Sequence, residues 1–188
     1  MHKKLSFNAP VTLGFTFLSL IVLILGYITK GKSNLLLFSV YRCRLNTISS
    51  YLRFFLHILG HENYAHFSGN MLLLLVLGAG LEERYGSRKL LICIVITAFL
   101  TGLIQFLFFP SVRVLGASGV VFMMIVLSSM SGMRDKRLPL TALLVLVFYL
   151  GGEIVDGLFS QDNISQLSHV IGGLCGAEFG FLFVGRKK

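Results

Sequence analysis

The chain has no tryptophan, three prolines and three cysteines among its 188 residues, and only 13% of them are charged. A soluble domain of this size carries about a quarter charged residues, so the shortage excludes an ordinary water-soluble fold. Cys43, Cys93 and Cys175 follow no metal-ligand or disulfide spacing; Cys93 and Cys175 fall inside apolar runs and read as packing residues. Acidic side chains are scarcer than basic ones, 8 against 17 Lys and Arg, leaving a formal net charge of +9. That surplus does not indicate a nucleic-acid partner, because the basic residues are scattered at the ends of apolar runs rather than gathered on one face.

What fills the chain instead is apolar: 55% hydrophobic residues, 17 Phe and a mean hydropathy of +0.81. Stretches without charge cover 5–29, 63–81, 90–112, 114–133, 138–152 and 163–177, the last continuing past one Glu to 185. Most reach the roughly 20 residues that cross a bilayer. They are too long for barrel strands, and lipid tolerates only helices or closed barrels. The expectation is an all-α polytopic membrane protein, a six-transmembrane-helix bundle forming a single domain over 1–188. Its spans fall near 8–29, 64–81, 89–109, 117–133, 138–155 and 165–185, with a long first outer loop at 30–63. The first span follows Lys3 and Lys4 like a signal peptide but has no convincing small-residue cleavage site, so it reads as an uncleaved anchor.

Charge sets the orientation. With a cytoplasmic N-terminus, eleven basic residues lie inside: Lys3, Lys4, Arg84, Arg88, Lys89, Arg134, Lys136, Arg137 and 186–188. Six lie outside, namely Lys30, Lys32, Arg42, Arg44, Arg53 and Arg113. The bias predicts both termini in the cytoplasm. The connection holding Glu153, Asp156 and Asp162, without Lys or Arg, agrees with an outside position.

Two segments depart from plain spans. The 30–62 connection is long for a structureless loop, and its apolar pieces NLLLFSV and YLRFFLHILG predict short helices at the outer interface, with Arg42, Arg44 and Arg53 reaching headgroups. Further on, a helix starting near 116–118 and running to Met130 has 13 residues, about 20 Å of length. Its N-terminus therefore lies below the membrane surface, and VRVLGASG must descend from the break at Pro110 into a cavity of protein or water.

The polar groups gather near that level. HENYAHFSGN at 61–70 begins like a zinc-protease helix, but that chemistry needs His at i and i+4. His61 and His66 are five apart, which points them about 140° apart on a helix, and no third ligand is recognisable. No metal or cofactor is expected. His66 and Asn70 do stand at i,i+4 and share a face near the outer end of the second span. A helix-to-helix hydrogen bond would explain them; so would a polar site. Ser118, in GASG, is open to the same two readings, as a small packing residue or as a nucleophile at a helix start whose free backbone N–H groups favour an anion. His169 is the one histidine in the later spans and the available base, with no acid well placed to orient it. Gly172, Gly176 and Gly180 form a stripe on the His169 helix, sufficient for close helix packing.

Taken in order, HENYAHFSGN at 61–70, EERYG at 82–86, GASG at 116–119 and SHVIGGLCG at 168–176 resemble a bacterial six-span rhomboid-family intramembrane serine protease over roughly two thirds of the chain. The resemblance implies a rhomboid-like bundle in the bacterial cytoplasmic membrane with the active site opening to the outer side. By position, Ser118 matches the nucleophile and His169 the general base. His66, Asn70 and the Ser118 backbone amide match the groups that hold the oxyanion. His61, Arg53, Glu82, Arg84, Gly86, Gly116, Gly119, Gly172 and Gly176 match supporting positions. Two departures stand out: Leu52-Arg53 replaces Trp-Arg in the first loop, and Phe122 replaces a Tyr that packs on the base. Because Ser118 and Phe122 are i,i+4, the Phe ring can still meet His169 without offering a hydroxyl.

The function this implies is cleavage of peptide bonds in or near transmembrane segments through a Ser–His dyad, the partners being the lipid bilayer and transmembrane protein substrates. A catalytically inactive rhomboid-like module that binds membrane proteins is the alternative, and it usually lacks the Ser or His that this chain retains. A transporter would show duplicated spans or ionisable residues along a crossing path, and the sequence shows neither.

Overall fold

The computed structural model describes residues 8–132, 139–145, 147–148 and 163–184. Eight α-helices occur among them. They are α1 (Pro10–Ile28), α2 (Lys32–Leu36), α3 (Ile48–Leu56), α4 (Tyr64–Tyr85), α5 (Ser87–Phe108), α6 (Ser118–Met130), α7 (Leu140–Val145) and α8 (Asn163–Val184), with a 3₁₀ turn at His57–Leu59 after α3. Among the described residues, α1, α4 and α5 are long and apolar enough to cross a membrane. Three of the six expected spans are thus met among the described residues.

The differences have local reasons. α6 is short, as its descending N-terminal segment requires. α8 has 22 residues, but the side chains at 163–165 and 184, at its two ends, lie outside the described residues. Of the fifth span, α7 is described, and most of the remainder lies outside the described residues. So do the charges at 1–7, 134–137 and 186–188 and the acidic connection with Glu153, Asp156 and Asp162, on which the orientation reading rests.

The bundle is organised around α6. Val120, Met123, Met124, Val126 and Leu127 on successive sides of it are fully buried, so other helices surround it. α1, α4 and α5 instead expose Ile21, Leu72, Val76 and Ile92, an arrangement suited to lipid. α8 lies on α6 backbone to backbone: a Cβ at Gly172 would fall on the Gly119 carbonyl, and one at Gly176 on the Met123 carbonyl. The glycine stripe therefore has a packing function in which each missing side chain lets two backbones touch.

Glu82 joins α4 to α1. Its Oε1 accepts the Val11 N–H at 2.8 Å, and its Oε2 accepts the Thr12 N–H at 2.9 Å and the Thr12 hydroxyl at 2.8 Å. One carboxylate thus satisfies orphan amides at the start of α1 and complements the helix dipole. Gly86 ends α4 at φ 85°, a conformation glycine tolerates. Arg84 donates to the Ser131 carbonyl at the end of α6, tying the same end of the bundle. Glu82→Gln keeps the shape but turns one of the two acceptor oxygens into a donor that faces a backbone N–H. Its expected cost is about 1–3 kcal/mol, read as a lower unfolding midpoint in denaturant-titrated detergent micelles.

The 30–63 connection does contain short helices, α2 and α3, but two of its three arginines are taken up by backbone carbonyls of the protein. Arg53 is buried, donates from Nε to the Leu36 carbonyl at 3.0 Å and lies 4.4 Å over the Tyr41 ring. Arg42 donates to the Phe106 and Leu107 carbonyls at 3.2 and 2.9 Å, capping α5. Arg44 alone of the three is exposed without such a contact among the described residues. Carbonyls at a helix end or in a connection lack backbone partners, and a guanidinium with five donors can meet them.

Candidate active site

The segment before α6 is fixed at several points. Val40 and Val114 form an isolated antiparallel bridge, with reciprocal N–H to carbonyl bonds of 2.8 and 3.0 Å. Gln105 Nε2 donates to the Val112 carbonyl at 3.2 Å, and Gly116 N–H donates to the His57 carbonyl at 3.0 Å. Gly116 has φ 135°, and a Cβ there would lie 2.8 Å from His66 Nε2. Only glycine fits both demands, so Gly116 sets how close the His66 ring comes to the start of α6.

Ser118 follows directly as the first residue of α6, half-buried, where the early N–H groups have no partner inside the helix. On α4, Asn63 caps the N-terminus: its Oδ1 accepts the His66 N–H at 2.9 Å. Asn70 Nδ2 donates to the His66 carbonyl at 3.1 Å, leaving that amide a second hydrogen. From α8 comes His169, whose ring stacks on Phe122 with centroids 4.2 Å apart and planes 5° from parallel. A cavity of about 400 Å³ is lined by His66, Asn70, Ser118 and His169, so the four residues singled out from sequence meet around one space.

Ala65, Gly69, Val114, Leu115 and Ser168 also line it and were not singled out. Gly69 was findable as i+3 from His66, and Ser168 as the neighbour of His169. Val114 and Leu115 were not, since only the bridge to Val40 brings their segment there.

Phe122, Gly119 and Gly172 support the cavity from below through α6 and α8. His61 stands beside it: its ring meets His66 edge-on at 5.1 Å, and its Nδ1 lies 3.1 Å from the Leu59 carbonyl. Glu82, Arg84 and Gly86 lie at the opposite end of α4, and Arg53 lies in the connection; neither group lines the cavity. No group of three or more His, Cys, Asp or Glu placed to hold a metal occurs among the described residues.

His57 is buried in the 3₁₀ turn, with Nδ1 3.1 Å from the Arg53 carbonyl and Nε2 3.4 Å from Thr101 Oγ1. Burial lowers its pKa from 6.5 to about 4, and burial followed by the neighbouring His66 does the same for His61. Between those values the unfolded chain binds protons that the folded chain refuses, so stability is full above about pH 6.5 and falls as pH drops toward 4. His57 alone should cost up to about 3 kcal/mol across that window. Unfolding midpoints measured from about pH 7.5 to 4.5 check this, and His57→Gln should flatten part of the slope.

A Rhomboid domain profile matches residues 49–186. The chain belongs to the rhomboid family. It is 31% identical over 132 residues to proteins named Rhomboid protease GlpG from Salmonella newport (strain SL254) and Salmonella typhi, covering 69% of this chain. The chain spans 48% of the length of those relatives. The matched rhomboid region contains every residue that lines the 400 Å³ cavity.

Proposed function

We propose that this rhomboid is an intramembrane serine endopeptidase of six-span topology, cutting peptide bonds in or near transmembrane segments of other proteins. The observation that carries this reading is the meeting of Ser118, His169, His66 and Asn70 around one cavity, with Ser118 at a helix start. His169 takes the proton from Ser118 Oγ as that oxygen attacks the scissile carbonyl. The proton passes to the departing amine, leaving an acyl-enzyme, which water activated by His169 then hydrolyses. His66, Asn70 and the Ser118 amide donate to the oxyanion, each worth about 3 kcal/mol when aimed at it. Phe122 holds the His169 ring by its face and gives the base no hydroxyl partner.

The substrate helix enters laterally and unwinds near the cleavage point, both termini of the enzyme facing the cytoplasm and the cavity facing the other side. A serine-directed phosphonate probe tests the nucleophile: the wild type should label, and Ser118→Ala and His169→Ala should not. Labelling retained by Ser118→Ala overturns the assignment. An unlabelled wild type that still retains a transmembrane peptide favours the binding-module reading.

A further inference from the structure

Away from the Ser118 cavity, the end of α1 and the start of the 30–63 connection enclose two adjoining cavities of about 190 and 360 Å³ that share Lys30, Gly31, Asn34 and Glu62. Their chemistry differs. The smaller is completed by His61, and two of the residues lining it each carry a buried acceptor with no hydrogen-bond partner among the described residues. One is Asn34 Oδ1, whose amide nitrogen is already committed to the His61 carbonyl at 3.3 Å. The other is His61 Nε2. A carbonyl only accepts, so His61 Nδ1 carries the proton it donates to Leu59, and Nε2 of the neutral ring is a bare lone pair. Asn34 and His61 are 9% and 1% exposed, and unmet acceptors at that depth are costly. With the Glu62 carboxylate, the small cavity offers three kinds of acceptor.

The larger cavity is cationic, adding Lys32 and Arg113 to Lys30. Lys30 stands at φ 51°, the sole non-glycine with positive φ among the described residues, at a helix end where glycine is the usual occupant. A lysine there accepts backbone strain to place its side chain in both cavities. The groove sits at the end of a helix long enough to cross a membrane, flanked by exposed Tyr27, Ile28, Leu35 and Leu36. That is headgroup level with apolar surface beside it for acyl chains.

We propose that this groove binds the phosphoethanolamine headgroup of a phospholipid in the leaflet where α1 ends. The primary ammonium is met by Glu62, Asn34 Oδ1 and His61 Nε2, and the phosphate by Lys30, Lys32 and Arg113. The ammonium brings three N–H donors to these three acceptor groups. A choline headgroup carries the same phosphate but no N–H donor, and a glycerol headgroup carries no positive charge for Glu62. The site is separate from the Ser118 chemistry and does not depend on it.

The test is native mass spectrometry of the full chain released from detergent with dihexanoyl phosphatidylethanolamine, phosphatidylcholine or phosphatidylglycerol. The wild type should retain the ethanolamine lipid about tenfold better than either of the others, the scale of one charge-assisted hydrogen bond. Glu62→Gln should cut that preference severalfold, because a neutral amide oxygen accepts from the ammonium less strongly than a carboxylate. Lys30→Gly should weaken both together, and because it relieves the φ strain its unfolding midpoint should not fall. Equal retention of ethanolamine and choline lipids by the wild type overturns the proposal, as does a preference unchanged in Glu62→Gln. Strongest retention of phosphatidylglycerol overturns it too, in favour of a purely anionic site.

Discussion

Ser118→Ala is expected to lower kcat/KM for a transmembrane substrate by about 10⁴-fold or more, with His169→Ala nearly as damaging and the double variant little worse than either. The reason is that nucleophile and base act as a unit: without the proton acceptor Oγ is a weak nucleophile, and without Oγ the base has nothing to activate. Any residual rate would come from His66, Asn70 and the free N–H groups at the start of α6, which stay in place in both variants. Purified protein in micelles or nanodiscs with a fluorescent transmembrane substrate gives the numbers. Cutting by Ser118→Ala within about tenfold of wild type would remove the serine from the mechanism. Cutting abolished by a chelator but indifferent to Ser118 would point to metal chemistry instead.

Gly172→Ala should be among the most damaging single-methyl changes at the described glycines. Its Cβ would fall on the Gly119 carbonyl, a backbone atom that cannot rotate away, so α8 must move off α6. Overpacking of this kind costs about 1–3 kcal/mol and occasionally more. The displacement also acts on function, because Gly119 follows Ser118 on α6 while His169 lies one turn before Gly172 on α8. A shift of about 1 Å between reacting groups can cost 10²-fold in rate, so activity should fall further than stability. Gly180→Ala meets the Met130 side chain, with Sδ 2.8 Å and Cβ 2.9 Å away; the thioether can swing aside but the Cβ cannot, so its effect should lie between those of Gly172→Ala and Gly80→Ala. Gly80→Ala meets nothing within 4 Å and should be neutral or slightly stabilising. Activity and unfolding midpoints of the three variants give the ranking. A Gly172→Ala protein as active as Gly80→Ala would show that the α6–α8 contact does not position the dyad.

Sequence and structure agree most where the informative distance is short. The limits of α6 follow from GASG at one end and the basic turn at the other, and the Phe122–His169 contact from a four-residue spacing plus the closeness that a glycine stripe permits. His66 and Asn70 share a face because i,i+4 neighbours must. Three of the six expected spans are met among the described residues; hydropathy along the chain registers apolar length, while the short α6 owes its place to the helices that surround it.

The chain by itself determined that it is an α-helical membrane protein, because a run poor in charge leaves lipid as the solvent and helices as the way to satisfy its backbone. It also determined which few polar side chains had to be explained. Their partners were decided only by the tertiary structure. Glu82 caps α1 from about 70 residues away, Arg53 turns inward to a carbonyl 17 residues back, and Val40 and Val114 bridge to steer the segment that delivers Ser118. The physical reason is the same in each case. An apolar environment dictates that a polar group must be met, but many donors and acceptors could meet it. Which one does depends on helix packing, and packing is a property of surfaces that lie far apart in the chain.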